Sequence, residues 1–509
     1  MKRKECVGDI PIQEKMKKIW INGSSLSLQD YMNVTRKGWV VELTEKAKES
    51  IQKSRQRVDG FLDSGKTIYG ITTGFGKFSD VNISREETIT LQRNLIITHA
   101  VGGGDPFDTE IVRGIILLRV NALAKGFSGI RLETVETLIE MLNQKVHPVI
   151  PEKGSLGASG DLAPLSHMVL PMIGLGQAEY EGEVLNGQEA MARAGIPVVT
   201  LVAKEGLALI NGTQAMTAVG ATTLYDGLKL SYYADLAAAL TFEALNGVTT
   251  ALDPRVHEVR PHPGQIKTAQ TLMEMLHGSQ MTTEQGQLRV QDAYSLRCVP
   301  QVHGASKDAL EYVLGKINIE MNAVTDNPII FDDTGISGGN FHGQPMAIAF
   351  DLMAIALAEL SNISERRLER LVNPALSGLP AFLVEKGGLN SGMMIVQYSA
   401  AAMVSENKVL CHPASVDSIP SSANQEDHVS MGTISARKSR EVLKNVRRVI
   451  AMEMMCACQA IDLRGKKPLG KDTEKAYQII RQAVSQLIDD RELYEDINQC
   501  ERLIIEEKL

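Results

Sequence analysis

The sequence has few aromatic residues and few cysteines, and the spacing of the cysteines limits what the protein can be. Aromatic residues make up 5% of the 509 residues, and the six cysteines include no Cys-x-x-Cys pair. Scattered cysteines are typical of reduced thiols rather than of a zinc site or a disulfide framework. No apolar stretch follows the charged first residues, so no secretory signal is visible. We therefore expect a cytoplasmic protein that needs no metal.

An excess of basic residues is also missing, because the formal net charge is -8. Nucleic acids and anionic membranes attract basic surfaces, so we expect neither as a partner. The longest run without a charge, residues 206–225, is long enough to span a bilayer. It contains Asn211, Gln214 and four threonines, which argues against a membrane helix.

What the chain does have is long apolar segments of helical composition, at residues 235–247, 345–360 and 449–463. A helix that is apolar on every side must be surrounded by other helices. These segments predict a mainly α fold with a long central helical bundle. Residues 472–509 predict peripheral C-terminal helices, because they carry a single apolar stripe made of Ala476, Ile479, Ile480, Ala483 and Leu487.

The first part of the chain is mixed. An Asn22-Gly23 turn between extended residues predicts one short hairpin, and residues 178–187 predict another. Residues 85–146 have a mostly helical pattern. We therefore predict a mixed α/β part over residues 1–204 and a helical part over residues 205–509.

The stretch GSLGASGDLAPL, residues 154–165, places a serine among glycines. A nucleophile elbow requires glycine where Asp161 stands, and a phosphate-binding loop requires a lysine that is missing. A third interpretation is structural and fits the residues: a glycine turn ends at Asp161, which caps a helix over the residues that follow.

A fourth interpretation of the stretch is chemical. In a tight turn, the amide nitrogen of Gly160 can approach the carbonyl carbon of Ala158, and glycine permits this best. Ring closure with loss of water, and loss of a second water from Ser159, would create a methylidene-imidazolone electrophile. Asp161 would assist the dehydration, and the positive end of the following helix would stabilise charge on the ring. The spacing permits this chemistry without establishing it.

The stretch resembles the signature of the aromatic amino acid ammonia-lyases, which act on histidine, phenylalanine or tyrosine, and of the related 2,3-aminomutases. Seven other segments resemble that family's motifs in the same order. They are YGITTGFG (69–76), LQRNLIITHAVGGG (91–104), KEGLALINGTQ (204–214), QDAYSLRCVPQ (291–301), TDNP (325–328), GGNFHGQP (338–345) and SSANQEDHVSMG (421–432).

The resemblance implies a mostly helical homotetramer with a central bundle and shared active sites. It implies that Ala158, Ser159 and Gly160 form a 4-methylidene-imidazol-5-one group, so that no dissociable cofactor is needed. Tyr69 resembles the catalytic base. Because a tyrosine ordinarily titrates near ~10, Tyr69 would need neighbours that stabilise its phenolate. The glycines around Phe75 suit a lid that excludes water.

The resemblance also assigns substrate-binding residues. Arg297 is expected to bind the substrate carboxylate, since a guanidinium matches that shape. Tyr294 resembles a second active-site tyrosine. Asn211 and Gln291 match positions that hydrogen-bond the imidazolone or the substrate, and Phe341 belongs to the same set.

Two residues bear on which amino acid is the substrate. His99 and Glu426 could bind the two ring nitrogens of an imidazole, whereas a carboxylate buried against a phenyl ring is costly. They favour elimination of ammonia from L-histidine to give trans-urocanate. Gly343-Gln344 departs from the usual histidine-directed pattern and is closer to the other members. A tyrosine or phenylalanine ammonia-lyase, or a tyrosine 2,3-aminomutase, is therefore the alternative, and a catalytically silent helical oligomer is a remote one.

Overall fold

The computed structural model describes residues 17–64, 68–71, 73–74, 83–84 and 87–509. The chain forms two compact units, and each is built from separate parts of the sequence. The first unit contains residues 1–154, 163–214 and 321–340, and the second contains residues 155–162, 215–320 and 341–509. The predicted division at residue 204 stays a prediction.

The first unit is mixed in secondary structure. Its described helices are α1 (Leu28–Thr35), α2 (Glu45–Ser64), α3 (Thr88–His99), α4 (Thr109–Leu123), α5 (Leu132–Asn143), α6 (Leu162–Val169, whose first residue belongs to the second unit), α7 (Gly187–Arg193) and α8 (Glu205–Ile210). Its strands are β1 (Lys18–Ile21), β2 (Val40–Leu43), β3 (Gly103–Pro106), β4 (His147–Pro148), β5 (Pro151–Lys153), β6 (Gln177–Tyr180), β7 (Glu183–Asn186), β8 (Ile329–Ile330) and β9 (Gly335–Ile336). The mostly helical pattern of residues 85–146 corresponds to α3, α4 and α5.

One of the two predicted hairpins is wrong. Strand β1 pairs in parallel with β2, so the chain does not turn back at Asn22-Gly23. The Asn22 side chain instead accepts hydrogen bonds from the backbone nitrogens of Ser24 and Ser25, which makes a local turn leading into α1. The second hairpin is confirmed, since β6 and β7 are antiparallel around Glu181 and Gly182. Both of those residues have positive φ, as a tight two-residue hairpin turn requires.

The second unit is built from helices, several of them long. They are α9 (Gln214–Ala244, whose first residue belongs to the first unit), α10 (Pro254–Glu258), α11 (Pro263–Met275), α12 (Tyr294–Arg297), α13 (Val299–Glu320), α14 (Gln344–Val372), α15 (Pro374–Ser377), α16 (Met394–Leu410), α17 (Gly432–Leu463), α18 (Lys471–Ala483) and α19 (Leu493–Ile505). The three apolar segments lie in α9, α14 and α17, apart from residues 245–247, which follow α9, and most of their residues are buried. The mainly α fold is confirmed.

A buried ion pair lies inside this bundle. The Arg367 guanidinium on α14 binds the Glu453 carboxylate on α17, with Nη2 and Oε2 2.8 Å apart, and both side chains are inaccessible to solvent. Thr241 on α9 donates to the same carboxylate at 2.7 Å. A buried charge without such partners is strongly destabilising, so this pair ties three helices together in one register.

Two single helices bear on the predicted C-terminal stripe and on membrane crossing. Helix α18 ends at Ala483, which is exposed, and Val484 and Leu487 are buried beyond the helix, so the predicted stripe is interrupted there. Within the described part of the chain, α14 is the one helix long and apolar enough to cross a membrane, and 72% of its most apolar window is buried inside the protein.

Candidate active site

The loop from Ser155 to Asp161 is the centre of the candidate site. Gly157 and Gly160 have φ angles of +70° and +75°, in the left-handed region that favours glycine. A Cβ atom on Gly157 would lie 2.2 Å from Ser430 Oγ, which is far too close. Backbone conformation therefore favours glycine at both positions, and a side chain at Gly157 would also require Ser430 to move.

The Asp161 carboxylate anchors the end of this loop. Its Oδ1 accepts a hydrogen bond from Ser155 Oγ at 2.7 Å and another from Thr433 Oγ1, and its Oδ2 accepts from the backbone nitrogen of Met216 at 2.8 Å. Burial raises the pKa of the Asp161 carboxyl, while these hydrogen bonds oppose that rise. Helix α6 begins directly after Asp161, as predicted for the glycine turn.

A second segment, residues 429–433, lies against the loop just before and at the start of α17. Ser430 Oγ donates to the Gly157 carbonyl at 3.2 Å, and the Met431 nitrogen donates to the Leu156 carbonyl at 3.2 Å. Ala158 packs against Val429 and Met431. Segment 429–433 therefore holds the backbone on the amino-terminal side of Ser159.

Glu426 reaches the same loop. Ser159 Oγ donates to Glu426 Oε1 at 3.0 Å, and Ser421 Oγ donates to Oε2 at 3.2 Å. Three consecutive residues before Glu426, at positions 422–424, have φ between +52° and +65° although none is glycine. Such conformations are costly and cluster at functional sites. The structure thus brings together two residues of the predicted site that are far apart in the sequence.

Three other predicted residues lie on or beside the short helix α12. Arg297 Nε donates to the Asp292 carbonyl at 2.9 Å, and the guanidinium lies 4.6 Å from the centre of the Tyr294 ring. Tyr294 is 71% exposed in the single chain, and Gln291 is exposed as well. This arrangement presents a cation and an aromatic ring at the surface of the second unit.

Phe341 is half-buried and stands just before α14. Next to it, the His342 ring stacks on the His428 ring at 5.5 Å between centres, a pair that motif matching did not single out. A Cβ atom on Gly343 would lie 2.6 Å from the sulfur of Met216 and 3.0 Å from Ser430 Oγ. A side chain at Gly343 would therefore require the end of Met216 to shift.

The remaining predicted residues belong to the first unit. Tyr69 is half-buried in a turn. His99 is the last residue of α3, and its Nδ1 lies 3.1 Å from Thr98 Oγ1. Asn211 is buried, and its side-chain oxygen has no hydrogen-bond partner among the described residues. The predicted lid residue Phe75 lies outside the described residues.

Around Asn211, two of the recognised motifs meet within the first unit. Lys204 Nζ lies 3.0 Å from Asp326 Oδ2, and both side chains are inaccessible to solvent. Gln214 Nε2 donates to Thr325 Oγ1 at 2.6 Å. Burial lowers the pKa of Lys204 and the nearby Asp326 opposes that shift. These contacts give the TDNP motif a structural role that its sequence alone did not reveal.

Hydrogen bonds also show which residues the motif comparison passed over. Ser155, Ser430 and Thr433 all contact the loop or its aspartate, yet small hydroxyl residues carry no distinctive sequence signal.

In the described parts of the chain, no three His, Cys, Asp or Glu residues are grouped so that they could hold a metal ion.

Comparisons with known proteins show which enzymes the chain is similar to. The chain is 65% identical to a histidine ammonia-lyase of Alkaliphilus oremlandii, over 97% of this chain and 98% of that protein. It is 61% identical to one of Caldanaerobacter subterraneus, over 95% and 96%.

Solved structures show the same fold. A histidine ammonia-lyase from Trypanosoma cruzi has a TM-score of 0.90 at 44% identity, covering 96% of this chain and 94% of that one. A tyrosine aminomutase from Streptomyces globisporus has a TM-score of 0.93 at 36% identity, covering 96% and 97%. Residues 26–482 match the profile of the family described as aromatic amino acid lyase, and with a fold and a near full-length sequence shared with such enzymes, the chain belongs to that family.

Proposed function

We propose that the protein eliminates ammonia from L-histidine and releases trans-urocanate. The observation that carries the proposal is the contact between Ser159 and Glu426, 3.0 Å apart. It places a carboxylate beside the serine of the GASGD loop, where it can accept a hydrogen bond from an imidazole N–H. A phenyl ring offers no such donor, so it would gain nothing from this carboxylate.

The relatives support the same substrate. The two curated relatives with 65% and 61% identity are both histidine ammonia-lyases, whereas the tyrosine aminomutase shares 36% identity. The TM-scores of 0.90 and 0.93 do not separate the two activities, because the fold is common to both. Gly343 favoured the alternative, but its contact with Met216 offers a reason unrelated to substrate.

The residues Ala158, Ser159 and Gly160 fit the 4-methylidene-imidazol-5-one group that we propose. The two glycines hold the left-handed conformation of a tight turn, and Ala158 adds only a methyl group between them and segment 429–433. When present, this group supplies an electrophilic carbon that activates the substrate for loss of its amine.

The other residues bind the substrate and move its proton. We assign removal of the β-proton to Tyr69, with Tyr294 as the second active-site tyrosine. Arg297 binds the substrate carboxylate; its Nε bond to the backbone fixes the plane of the guanidinium, and the terminal nitrogens take the carboxylate. A fixed guanidinium loses little freedom on binding, which favours a defined substrate orientation.

The remaining assignments concern the ring and the polar groups around it. His99 and Glu426 bind the imidazole, and Phe341 packs against the substrate. Asn211 has a buried oxygen that still lacks a partner among the described residues, and Gln291 is exposed, so both side chains offer hydrogen bonds.

We propose that the working form is a cytoplasmic homotetramer with shared active sites. Large apolar side chains are exposed on the bundle helices of the single chain: Ile348 and Ile355 on α14, and Ile395 and Tyr398 on α16. An exposed apolar face of this kind supports contact with another copy of the chain. The free thiols of Cys298, Cys411, Cys456, Cys458 and Cys500 support a reducing compartment.

The test is to incubate the purified protein separately with histidine, tyrosine and phenylalanine and to follow the ultraviolet absorbance of the conjugated acrylates. We expect urocanate from histidine and no comparable product from the other two. A cinnamate without urocanate would overturn the substrate assignment. Intact mass under denaturing conditions should show a deficit of two waters that is absent in Ser159→Ala, and an unmodified wild-type mass would overturn the prosthetic group.

A further inference from the structure

The Ser155 hydroxyl connects the two ends of the segment that would form the ring. It accepts a hydrogen bond from the Gly157 nitrogen at 3.3 Å and donates one to Asp161 Oδ1 at 2.7 Å. Gly157 is the residue immediately before Ala158, and Asp161 is the residue immediately after Gly160. One buried hydroxyl therefore holds together the residues that flank the tripeptide on both sides.

Thr433 and Met216 fix the same carboxylate to two long helices. Thr433 is near the start of α17 and donates to Asp161 Oδ1, while Met216, near the start of α9, donates its backbone N–H to Oδ2. Thr433 is 2% exposed and Asp161 is inaccessible to solvent. Both carboxylate oxygens are thus occupied by donors from rigid elements, which prevents the carboxylate from rotating.

Ring closure needs this kind of restraint. The Gly160 nitrogen attacks the carbonyl carbon of Ala158, so that one C–N bond forms. The carbonyl oxygen leaves as water with the amide hydrogens of Gly160 and Ser159, and a C=N bond forms between Ala158 and Ser159. The Cα hydrogen and the hydroxyl of Ser159 leave as a second water, and no oxidant is required. Because the attacked and attacking atoms belong to one short segment, holding its flanks together lowers the entropic barrier.

We propose that Ser155 and Thr433 are positioning residues for this ring closure, acting through Asp161. The inference rests on the proposed function, because it presupposes that the ring forms from residues 158–160. Neither hydroxyl is assigned a contact with the substrate.

The experiment follows maturation rather than turnover. Full-length wild type, Ser155→Ala, Thr433→Val and Thr433→Ser are each expressed in a short pulse, and intact mass is recorded over time under denaturing conditions. We expect the two-water deficit to develop at least about tenfold more slowly in Ser155→Ala and Thr433→Val, as for loss of one hydrogen bond to a charged group. Thr433→Ser keeps the hydroxyl and should mature at nearly the wild-type rate.

Ser439→Ala is the matched control, because Ser439 is equally buried on α17 but donates to the Ala436 carbonyl of its own helix. Circular dichroism and thermal unfolding check the fold of each variant. If Ser155→Ala is insoluble, the comparison of Thr433→Val with Thr433→Ser tests the positioning role alone, since valine matches threonine in shape.

The outcomes separate the two proposals. A wild-type chain without the deficit would overturn the proposed function and this inference with it. A wild-type deficit with normal maturation of Ser155→Ala and Thr433→Val would overturn the positioning role alone. Slow maturation that also affects Ser439→Ala or Thr433→Ser would be a general folding effect and would also overturn that role.

Discussion

The Ser155–Asp161 loop and the Gln291–Arg297 segment both carry predicted site residues of the second unit, but the single chain treats them differently. The loop is held by hydrogen bonds from Ser430, Met431 and Thr433 and is largely buried. The segment presents Tyr294 with 71% of its side chain exposed. Contacts within the same chain hold the loop, whereas Tyr294 of the segment is exposed to solvent in the single chain.

This difference separates maturation from catalysis. The contacts around the loop come from the same chain, so ring closure should depend on the folding of one subunit. The exposed residues of the other segment are expected to become enclosed only when another subunit covers them, which water exclusion at an active site requires. Variants can therefore affect one property and spare the other.

Breaking the subunit contacts should have the largest effect. The double variant Ile395→Glu, Tyr398→Glu places two charges on an exposed apolar face of α16. Burying unpaired charges in an interface is strongly unfavourable, so we expect smaller species and a loss of turnover of roughly 1000-fold. Light scattering after gel filtration, the urocanate assay and intact mass measure the result. A fully active monomer would show that the segment works without a partner.

Removing the guanidinium of Arg297 should have the next largest effect. Arg297→Met should lower kcat/KM by roughly 100-fold, because the substrate carboxylate loses a paired charge-assisted contact. The two-water deficit should be unchanged, since Arg297 is not part of the loop. Arg297→Lys is the control and should recover part of the loss through its charge. If the two-water deficit is missing in Arg297→Met, ring closure in the loop depends on the Gln291–Arg297 segment, and the two regions are not independent.

Replacing Glu426 tests the region where the loop meets the substrate. Glu426→Gln should lower histidine turnover by about 10-fold or more, because a hydrogen bond to a charged acceptor is lost. Thermal unfolding should stay close to the wild type, as the amide oxygen can still accept a hydrogen bond from Ser421. The neighbouring, exposed Asp427→Asn is the control and should change neither quantity. Equal losses of histidine turnover in Glu426→Gln and Asp427→Asn would contradict the assignment of Glu426 to the substrate site.

The smallest effect is expected at Gly343. Gly343→Ala puts a methyl group against the flexible end of Met216, so we expect a loss of about 1 kcal/mol in the free energy of unfolding and an unchanged preference for histidine. Gly339→Ala is the control, because open space surrounds that position. Denaturant titration and the substrate panel measure both properties. A switch toward tyrosine in Gly343→Ala would mean that this position selects the substrate.

Parts of the structure could be predicted because they depend on nearby residues. The apolar runs in α9, α14 and α17 reveal buried helices, and the β6–β7 hairpin follows from its turn at Glu181 and Gly182. The Asn22-Gly23 turn misled because a local signal cannot show which strand pairs with β1. The partner, β2, follows on the other side of α1.

The sequence by itself determined the family and the mainly α fold, since these depend on residue types in a fixed order, and it predicted the residues of the proposed chemistry. Only the tertiary structure decided how Asp161 is held, that a side chain at Gly343 would meet Met216 and that Glu426 touches Ser159. Thr433 and Asp161 are 272 positions apart. Sequence periodicity and motif spacing do not reach over such a distance. The contact forms only when the chain folds and the starts of α9 and α17 lie beside the same loop.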